Sequence, residues 1–106
     1  MTALTIGDNG KNIAVKSGDI IQMELEEKGA TGYLWELDEL DNKYFEVIKI
    51  ETRSIAKEGI TGAPVTKVWQ LKTKQPGKTT LKMFYYRPWE GKQKAVDAFN
   101  IKVEIF

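Results

Sequence analysis

Acidic pairs are the residues whose type and spacing come nearest to catalytic chemistry in this chain. Glu26 and Glu27 are adjacent, and Asp38, Glu39 and Asp41 form a second acidic group. Two carboxylates in one cleft can act as general acid and general base when their surroundings separate their pKa values. Nothing in the flanking sequence predicts such a cleft, so we interpret both groups as solvated strand faces and turns.

The chain contains no cysteine and no histidine, which excludes several kinds of site. Ser-His-Asp and Cys-His catalysis both need an imidazole. Zinc sites are built largely from Cys and His, so we expect no metal and no cofactor. Disulfides cannot form, and stability must come from packing alone. We therefore expect that the protein is not an enzyme.

Two further patterns are weighed against simpler explanations. Gln75-Pro76-Gly77-Lys78-Thr79 ends like a phosphate-binding loop, but the glycine needed five residues before Gly77 is Lys72, and a strand follows. We interpret it as a turn. Aromatics are interleaved with basic residues over Lys82–Arg87, with Lys92 and Lys94 further along, as in single-stranded nucleic-acid binders. The solvent face of a strand gives the same pattern, and the net charge is only +1, so we expect no nucleic-acid partner.

Charge is unevenly distributed along the 106 residues. Residues 1–66 carry a net charge of −5 and residues 67–94 carry +7. Two sets of strands that complement each other across two sheets would give this asymmetry. A basic face that steers an acidic partner would also give it, but the first arrangement is the more common.

Length and composition predict one globular domain over residues 1–106. Hydrophobic residues make up 42% and charged residues 29%, which is enough for a single core. The first residues lack the basic and apolar regions of a signal peptide, and no apolar run approaches the roughly 20 residues of a membrane span. We expect a cytoplasmic monomer that does not enter a membrane.

Apolar and polar residues alternate with a period of two, which is typical of strands with one buried face. The predicted strands lie at residues 13–15, 21–26, 33–38, 45–52, 66–73, 79–86 and 99–105. The alternation breaks at Val47 and Ile48, where we expect a bulge or a stretch buried on both faces. Turn-forming residues separate the strands, and no segment has a helical period. The sequence thus predicts an all-β, immunoglobulin-like antiparallel β-sandwich of about seven to eight strands, with Trp35 in the core.

Arg87-Pro88-Trp89-Glu90 follows the strand predicted at residues 79–86. A Trp in a loop is either an exposed binding anchor or a side chain that folds back over the core. The tetrapeptide alone leaves these alternatives open. Another loop, Lys28–Tyr33, has two glycines around Ala30-Thr31, more than a plain hairpin turn needs.

Three features together, in their order and spacing, resemble the chagasin family, which comprises chagasin- and amoebiasin-type inhibitors of papain-like cysteine proteases. They are the loop 30–33, the glycine-containing stretch 59–64 before Trp69, and Arg87-Pro88-Trp89. The resemblance extends from about Asp19 to the C-terminus. It implies an immunoglobulin-like sandwich whose three loops, here about 28–33, 59–66 and 87–92, enter the protease cleft as a wedge and block it without being processed.

The resemblance also implies roles for individual residues. The family's first loop commonly has Asn-Pro-Thr-Thr-Gly before an aromatic; Thr31, Gly32 and Tyr33 match, and Thr31 is expected at the apex over the catalytic thiol. The second loop's Gly-x-Gly-Gly pattern keeps one glycine, at Gly62. Trp89 is expected to stack on aromatic surface beside the cleft. The predicted protease-binding residues are Gly29, Ala30, Thr31, Gly32, Tyr33, Gly62, Ala63, Pro64, Arg87, Pro88 and Trp89.

Two hypotheses remain for Arg87 and two for the whole chain. Arg87 either ties its loop to a carboxylate such as Glu90 or Asp97, which we favour slightly, or meets the protease. The main alternative to a protease inhibitor is a carbohydrate-binding or adhesion sandwich that uses Trp89 and Tyr86 as a sugar platform.

Overall fold

The computed structural model describes residues 1–28, 31–54 and 64–106, and its regular structure is almost entirely β-strand. The strands are β1 (Thr2–Thr5), β2 (Asn12–Val15), β3 (Ile20–Glu27), β4 (Leu34–Leu37), β5 (Phe45–Ser54), β6 (Val65–Thr73), β7 (Gly77–Tyr86) and β8 (Asp97–Ile105). Short 3-10 helices span Ile6–Asp8 and Lys92–Lys94. Among the described residues, no helix has the length and apolar character to cross a bilayer. The all-β class is confirmed, and β1 is an additional strand that the sequence did not predict.

The strands form two four-stranded sheets that pack face to face. One sheet has the order β1-β3-β6-β5 and the other β2-β8-β7-β4. The pairs β3–β6, β5–β6, β4–β7 and β7–β8 are antiparallel, whereas β1–β3 and β2–β8 are parallel. This arrangement is the immunoglobulin-like sandwich predicted from the alternation.

The core lies between the sheets and is built by alternate residues of the long strands. On β8, Phe99, Ile101, Val103 and Ile105 are buried, while the residues between them are exposed. Trp35 of β4 is 3% exposed and belongs to the same core cluster, as predicted. Each large apolar side chain removed from water in this way contributes roughly 1.5–3 kcal/mol.

Two local predictions are confirmed. The register between β5 and β6 shifts between Val47 and Lys49, which places a bulge at Ile48 where the alternation breaks. The stretch 75–79 is a turn followed by a strand, because β7 begins at Gly77.

Strand direction brings the ends of β3, β5 and β7 to one end of the sandwich. The described residues of the connections that follow these strands are 28 and 31–33 in the first, 64 in the second and 87–96 in the third. The backbone N–H of Lys28, just after β3, donates to the hydroxyl of Tyr85, near the end of β7, at 2.9 Å. The first and third connections therefore lie side by side although their preceding strands belong to different sheets.

The basic residues of the segment 67–94 are divided between the two sheets. Lys67 on β6 lies 3.9 Å from the carboxylate of Glu27, and Lys92, after β7, pairs with Asp38. Both acidic partners belong to the acidic segment 1–66. Glu27 and Lys67 belong to neighbouring strands of one sheet, and Asp38 and Lys92 follow neighbouring strands of the other, so these pairs balance the charge asymmetry within each sheet rather than across the two sheets.

Candidate functional site

Trp89 is presented to solvent by a tight turn at the end of β7. The carbonyl of Arg87 accepts hydrogen bonds from the N–H groups of Glu90 at 2.9 Å and Gly91 at 3.3 Å. Gly91 adopts φ +87°, a conformation that favours glycine. Trp89 is 72% exposed, so it does not fold back over the core, and the exposed-anchor alternative is the one the structure supports.

The first loop approaches Trp89 closely at Gly32. A Cβ atom added to Gly32 would lie 2.4 Å from Cη2 of the Trp89 ring, well inside contact distance. Gly32 also has φ +79°, which other residues adopt only with strain. Glycine at this position therefore allows both the conformation of the first loop and the close approach of the Trp89 ring.

Arg87 joins the same two loops. Its Nε donates to the carbonyl of Thr31 at 2.9 Å, and its Nη1 lies 3.7 Å from the carboxylate of Glu90. The guanidinium carbon also lies 4.5 Å from the centre of the Tyr33 ring, within cation–π range. Of the predicted carboxylate partners, Glu90 is the one in contact, so the contact that the first hypothesis for Arg87 requires is present.

A series of neighbouring aromatic and guanidinium groups leads from the exposed Trp89 into the core. Arg87 lies between Trp89, 6.0 Å away, and Tyr33. The Tyr33 ring lies 5.4 Å from that of Tyr85, which lies 4.9 Å from Trp35. Because Trp35 and Tyr85 are buried, this series of groups fixes the first and third loops to the rigid part of the molecule.

The hydroxyl of Thr31 is used inside its own loop. It donates to the carbonyl of Lys28 at 2.7 Å and accepts from the N–H of Tyr33 at 3.4 Å. The N–H of Thr31 also donates to the Lys28 carbonyl, at 3.2 Å. These bonds define the shape of the described part of the loop without any proline.

The end of β7 and the third loop contact β4 and the residue that follows it. Tyr86 donates to Glu36 at 2.8 Å, and the ammonium of Lys92 pairs with Asp38. The hydrogen bond to Glu36, with some help from burial, raises the pKa of Tyr86. The contact with Asp38 raises the pKa of Lys92. Both groups therefore keep their protons, and both ties persist, across the neutral range.

Some predicted residues are placed by the structure and others are not. Thr31, Gly32, Tyr33, Arg87 and Trp89 are brought together as described above. Pro88 is exposed beside Trp89, and Pro64 is exposed directly before β6. Gly29, Ala30, Gly62 and Ala63 lie outside the described residues.

Sequence reasoning missed the role of Glu27. The prediction that Glu27 is part of a solvated face is wrong, because Glu27 is 4% exposed. The alternation contained the signal, since Glu27 lies on the same face of β3 as the buried residues Ile21, Met23 and Leu25. Among the described residues, no cluster of three or more acidic side chains is arranged to hold a metal ion.

Comparison with known proteins places this fold and loop arrangement in a family. Residues 14–103 match the Chagasin family peptidase inhibitor I42. Amoebiasin-2 of Entamoeba histolytica is 28% identical over 105 residues, which cover 96% of this chain and 83% of that protein. The crystal structure of the cysteine protease inhibitor EhICP2, from Entamoeba histolytica, has a TM-score of 0.88 at 25% identity over 99% of this chain and 95% of that chain. PbICP-C, solved in complex with falcipain-2, shares the fold with a TM-score of 0.75 at 21% identity over the whole of both chains.

The chain therefore belongs to the chagasin family, as its motifs indicated. This is a family of peptidase inhibitors, which confirms the prediction that the chain is not an enzyme. The match includes β3, β4 and β7 and the two loops whose contacts are described above.

Proposed function

We propose that this chain is a reversible, competitive inhibitor of papain-like cysteine proteases that occludes the active-site cleft with loops at about 28–33, 59–66 and 87–92. The observation that carries the proposal is the union of the first and third loops, with Trp89 exposed at their edge. Membership of an inhibitor family supports the same function.

Preorganisation explains how such an inhibitor binds tightly without disulfides. The Thr31–Arg87 hydrogen bond and the contact of Gly32 with Trp89 are already formed in the free protein. Ordering one flexible side chain at an interface costs roughly 0.5–1.5 kcal/mol, and a loop that is already held avoids much of that cost. Most of the contact energy is then available for affinity.

Roles within the wedge follow from the family resemblance. Thr31 lies at the apex opposite the catalytic thiol; because its hydroxyl and its backbone N–H are bonded to Lys28 and its carbonyl to Arg87, it would contact the protease through its methyl group. Trp89 is the lateral anchor on aromatic surface beside the cleft. The remaining protease contacts are assigned to Gly29, Ala30, Gly32, Tyr33, Gly62, Ala63, Pro64, Arg87 and Pro88.

The same proposal covers the setting in which the inhibitor acts. It is a monomeric single domain over residues 1–106 that needs no cofactor and binds neither nucleic acid nor membranes. Its location in the cytoplasm is part of the proposal.

The alternative of a carbohydrate-binding sandwich is weakened by the position of Tyr86. That side chain is 8% exposed and its hydroxyl is bonded to Glu36, so it cannot form a flat sugar platform with Trp89. A single exposed Trp remains, and it is better explained as the anchor of a protein–protein interface.

Steady-state inhibition of papain with a chromogenic peptide substrate tests the proposal. We expect the apparent KM to rise with inhibitor concentration while kcat stays constant, and the mass of the inhibitor to be unchanged after incubation. Unaffected turnover at tenfold molar excess of folded protein would refute the proposal. Retention of the protein on a polysaccharide column, together with that result, would favour the alternative.

A further inference from the structure

A buried acidic residue lies at the base of the first loop, outside the contacts assigned to the protease. Glu27 is the last residue of β3, and its exposure is 4%. Burying a carboxylate costs several kcal/mol unless the charge is paired and hydrogen-bonded. The partners of Glu27 therefore indicate what the residue does.

Glu27 and Lys67 together take the place of a neighbouring strand beside β4. The backbone N–H of Trp35 donates to Oε2 of Glu27 at 2.8 Å, and Nζ of Lys67 donates to the carbonyl of Trp35 at 3.4 Å. Lys67 and Glu27 form an ion pair at 3.9 Å. β4 is an edge strand in the part of the chain that the structure describes, so no described strand pairs with the outward backbone groups of Trp35. The two side chains satisfy both groups from the opposite sheet.

Two more hydrogen bonds cross between the sheets at the same level. The N–H of Lys28 donates to the hydroxyl of Tyr85 at 2.9 Å, and Nε1 of Trp35 donates to the carbonyl of Glu26 at 3.1 Å. Lys28 and Trp35 lie at the two ends of the first loop. We call these two hydrogen bonds, together with the contacts of Glu27, the base latch. The base latch fixes the distance between the two ends of the first loop.

We propose that Glu27 is a positioning residue that holds the first loop, through Trp35 and Lys67, in the geometry required to enter the protease cleft. This inference rests on the proposed function. Glu27 is too buried to contact a protease itself. Its effect is on the fraction of free inhibitor whose loop is ready to bind, and the apparent dissociation constant rises as that fraction falls.

This mechanism predicts a particular kinetic signature. When Glu27 is removed, fewer encounters find a loop of the correct shape, so the association rate constant falls. Once bound, the loop makes the same protease contacts as before, so the dissociation rate constant changes little. Loss of a direct interface contact usually has the opposite signature, with most of the change in dissociation.

Stopped-flow or biosensor kinetics with papain test the inference. We expect Glu27→Ala to lower the association rate constant by about tenfold or more, with dissociation within about twofold. Glu27→Gln keeps an oxygen acceptor for the N–H of Trp35, so we expect association to recover to within about threefold of the unchanged chain. In the free protein, amide hydrogen exchange at Trp35 should be faster in Glu27→Ala than in Glu27→Gln.

Two matched controls separate positioning from general stability. Val103→Ala weakens the core at the far end of β8, and Glu24→Ala removes a carboxylate of the same strand that pairs with Arg53 on the outer face. Both should leave the association rate constant unchanged. If Glu27→Ala does not fold, Lys67→Ala breaks the contact with the Trp35 carbonyl and should slow association by about threefold or more.

The outcomes distinguish the two proposals. Equal association rates for the unchanged chain and the folded latch variants would overturn the positioning role alone, as would an equal loss in Val103→Ala. If the unchanged chain does not bind papain at all, the proposed function fails and this inference with it. Faster exchange at Trp35 in Glu27→Ala would still establish the base latch itself.

Discussion

Replacing Gly32 with alanine tests the contact between the first and third loops. The new Cβ would lie 2.4 Å from Cη2 of Trp89, so the indole ring must move away from the first loop. The backbone at Gly32 has φ +79°, where an L-residue costs roughly 1–2 kcal/mol. The variant should therefore lose both stability and the position of its anchor.

The two losses have separate magnitudes. The strain should lower the melting temperature, by roughly 4–8 °C for each kcal/mol in a domain of this size. A hot-spot Trp contributes about 2–4 kcal/mol when its contacts are complete. Losing half of that through displacement of the ring weakens inhibition by about tenfold, since 1.4 kcal/mol corresponds to one decade.

Gly18→Ala provides the matched control. Gly18 has φ +91°, no atom of the described residues lies within 4 Å of an added Cβ, and the residue lies between β2 and β3, away from the first and third loops. Thermal unfolding and papain inhibition should be measured for both variants. Both should lose similar stability, but only Gly32→Ala should lose inhibition. Equal inhibition constants for the two folded variants would refute the claim that the contact with Gly32 positions the Trp89 ring for inhibition.

Two other predictions concern the guanidinium tie and pH. Arg87→Lys cannot reproduce the fork of donors to Thr31 and Glu90. A hydrogen bond to a charged group contributes ~1.5–3 kcal/mol and this one is partly exposed, so inhibition should weaken by roughly fivefold to tenfold. An unchanged inhibition constant would argue against the link between the loops through Arg87. The inhibition constant should vary little between about pH 5 and 8, apart from titration of the protease, because the chain has no histidine. Stability should fall below about pH 4, because contacts with Lys11 and Lys49 lower the pKa of Asp8 and Glu51 in the folded state; their contribution is present above the unfolded pKa values and is lost on acidification. Denaturant unfolding at several pH values measures this loss of stability. An unfolding midpoint that does not change from pH 6 to pH 3 would contradict the prediction.

The fold was largely predictable because strand burial leaves a local pattern. Alternation over residues 99–105 specifies which face of β8 is buried, and the break at Val47 and Ile48 marks a bulge. The extra strand β1 has one buried residue, Leu4, which is too little signal for prediction. Its place beside β3 is set by packing rather than by pattern.

The loop motifs of the candidate site could be found in the sequence, but the contacts that join the first loop to the third could not. Trp89 was recognised from its loop and its partner motif, yet its contact with Gly32 joins residues that are distant in sequence. Glu27 shows a different limit of prediction from sequence, because its charge indicated a position in solvent while its place in the alternation of β3 indicated the core. The alternation was the better guide, since Lys67 and the N–H of Trp35 offset the cost of burying the carboxylate.

The most direct test of the central claim is the papain inhibition constant of Trp89→Ala relative to that of the unchanged chain. Trp89 is 72% exposed, so its removal should change the free energy of unfolding by no more than about 0.5 kcal/mol. Phe106→Ala, which removes another exposed aromatic at the far end of β8, is the control. We predict that the inhibition constant rises by about tenfold or more for Trp89→Ala and stays within about twofold for Phe106→Ala. Equal constants for the two folded variants would contradict the assignment of Trp89 as the anchor.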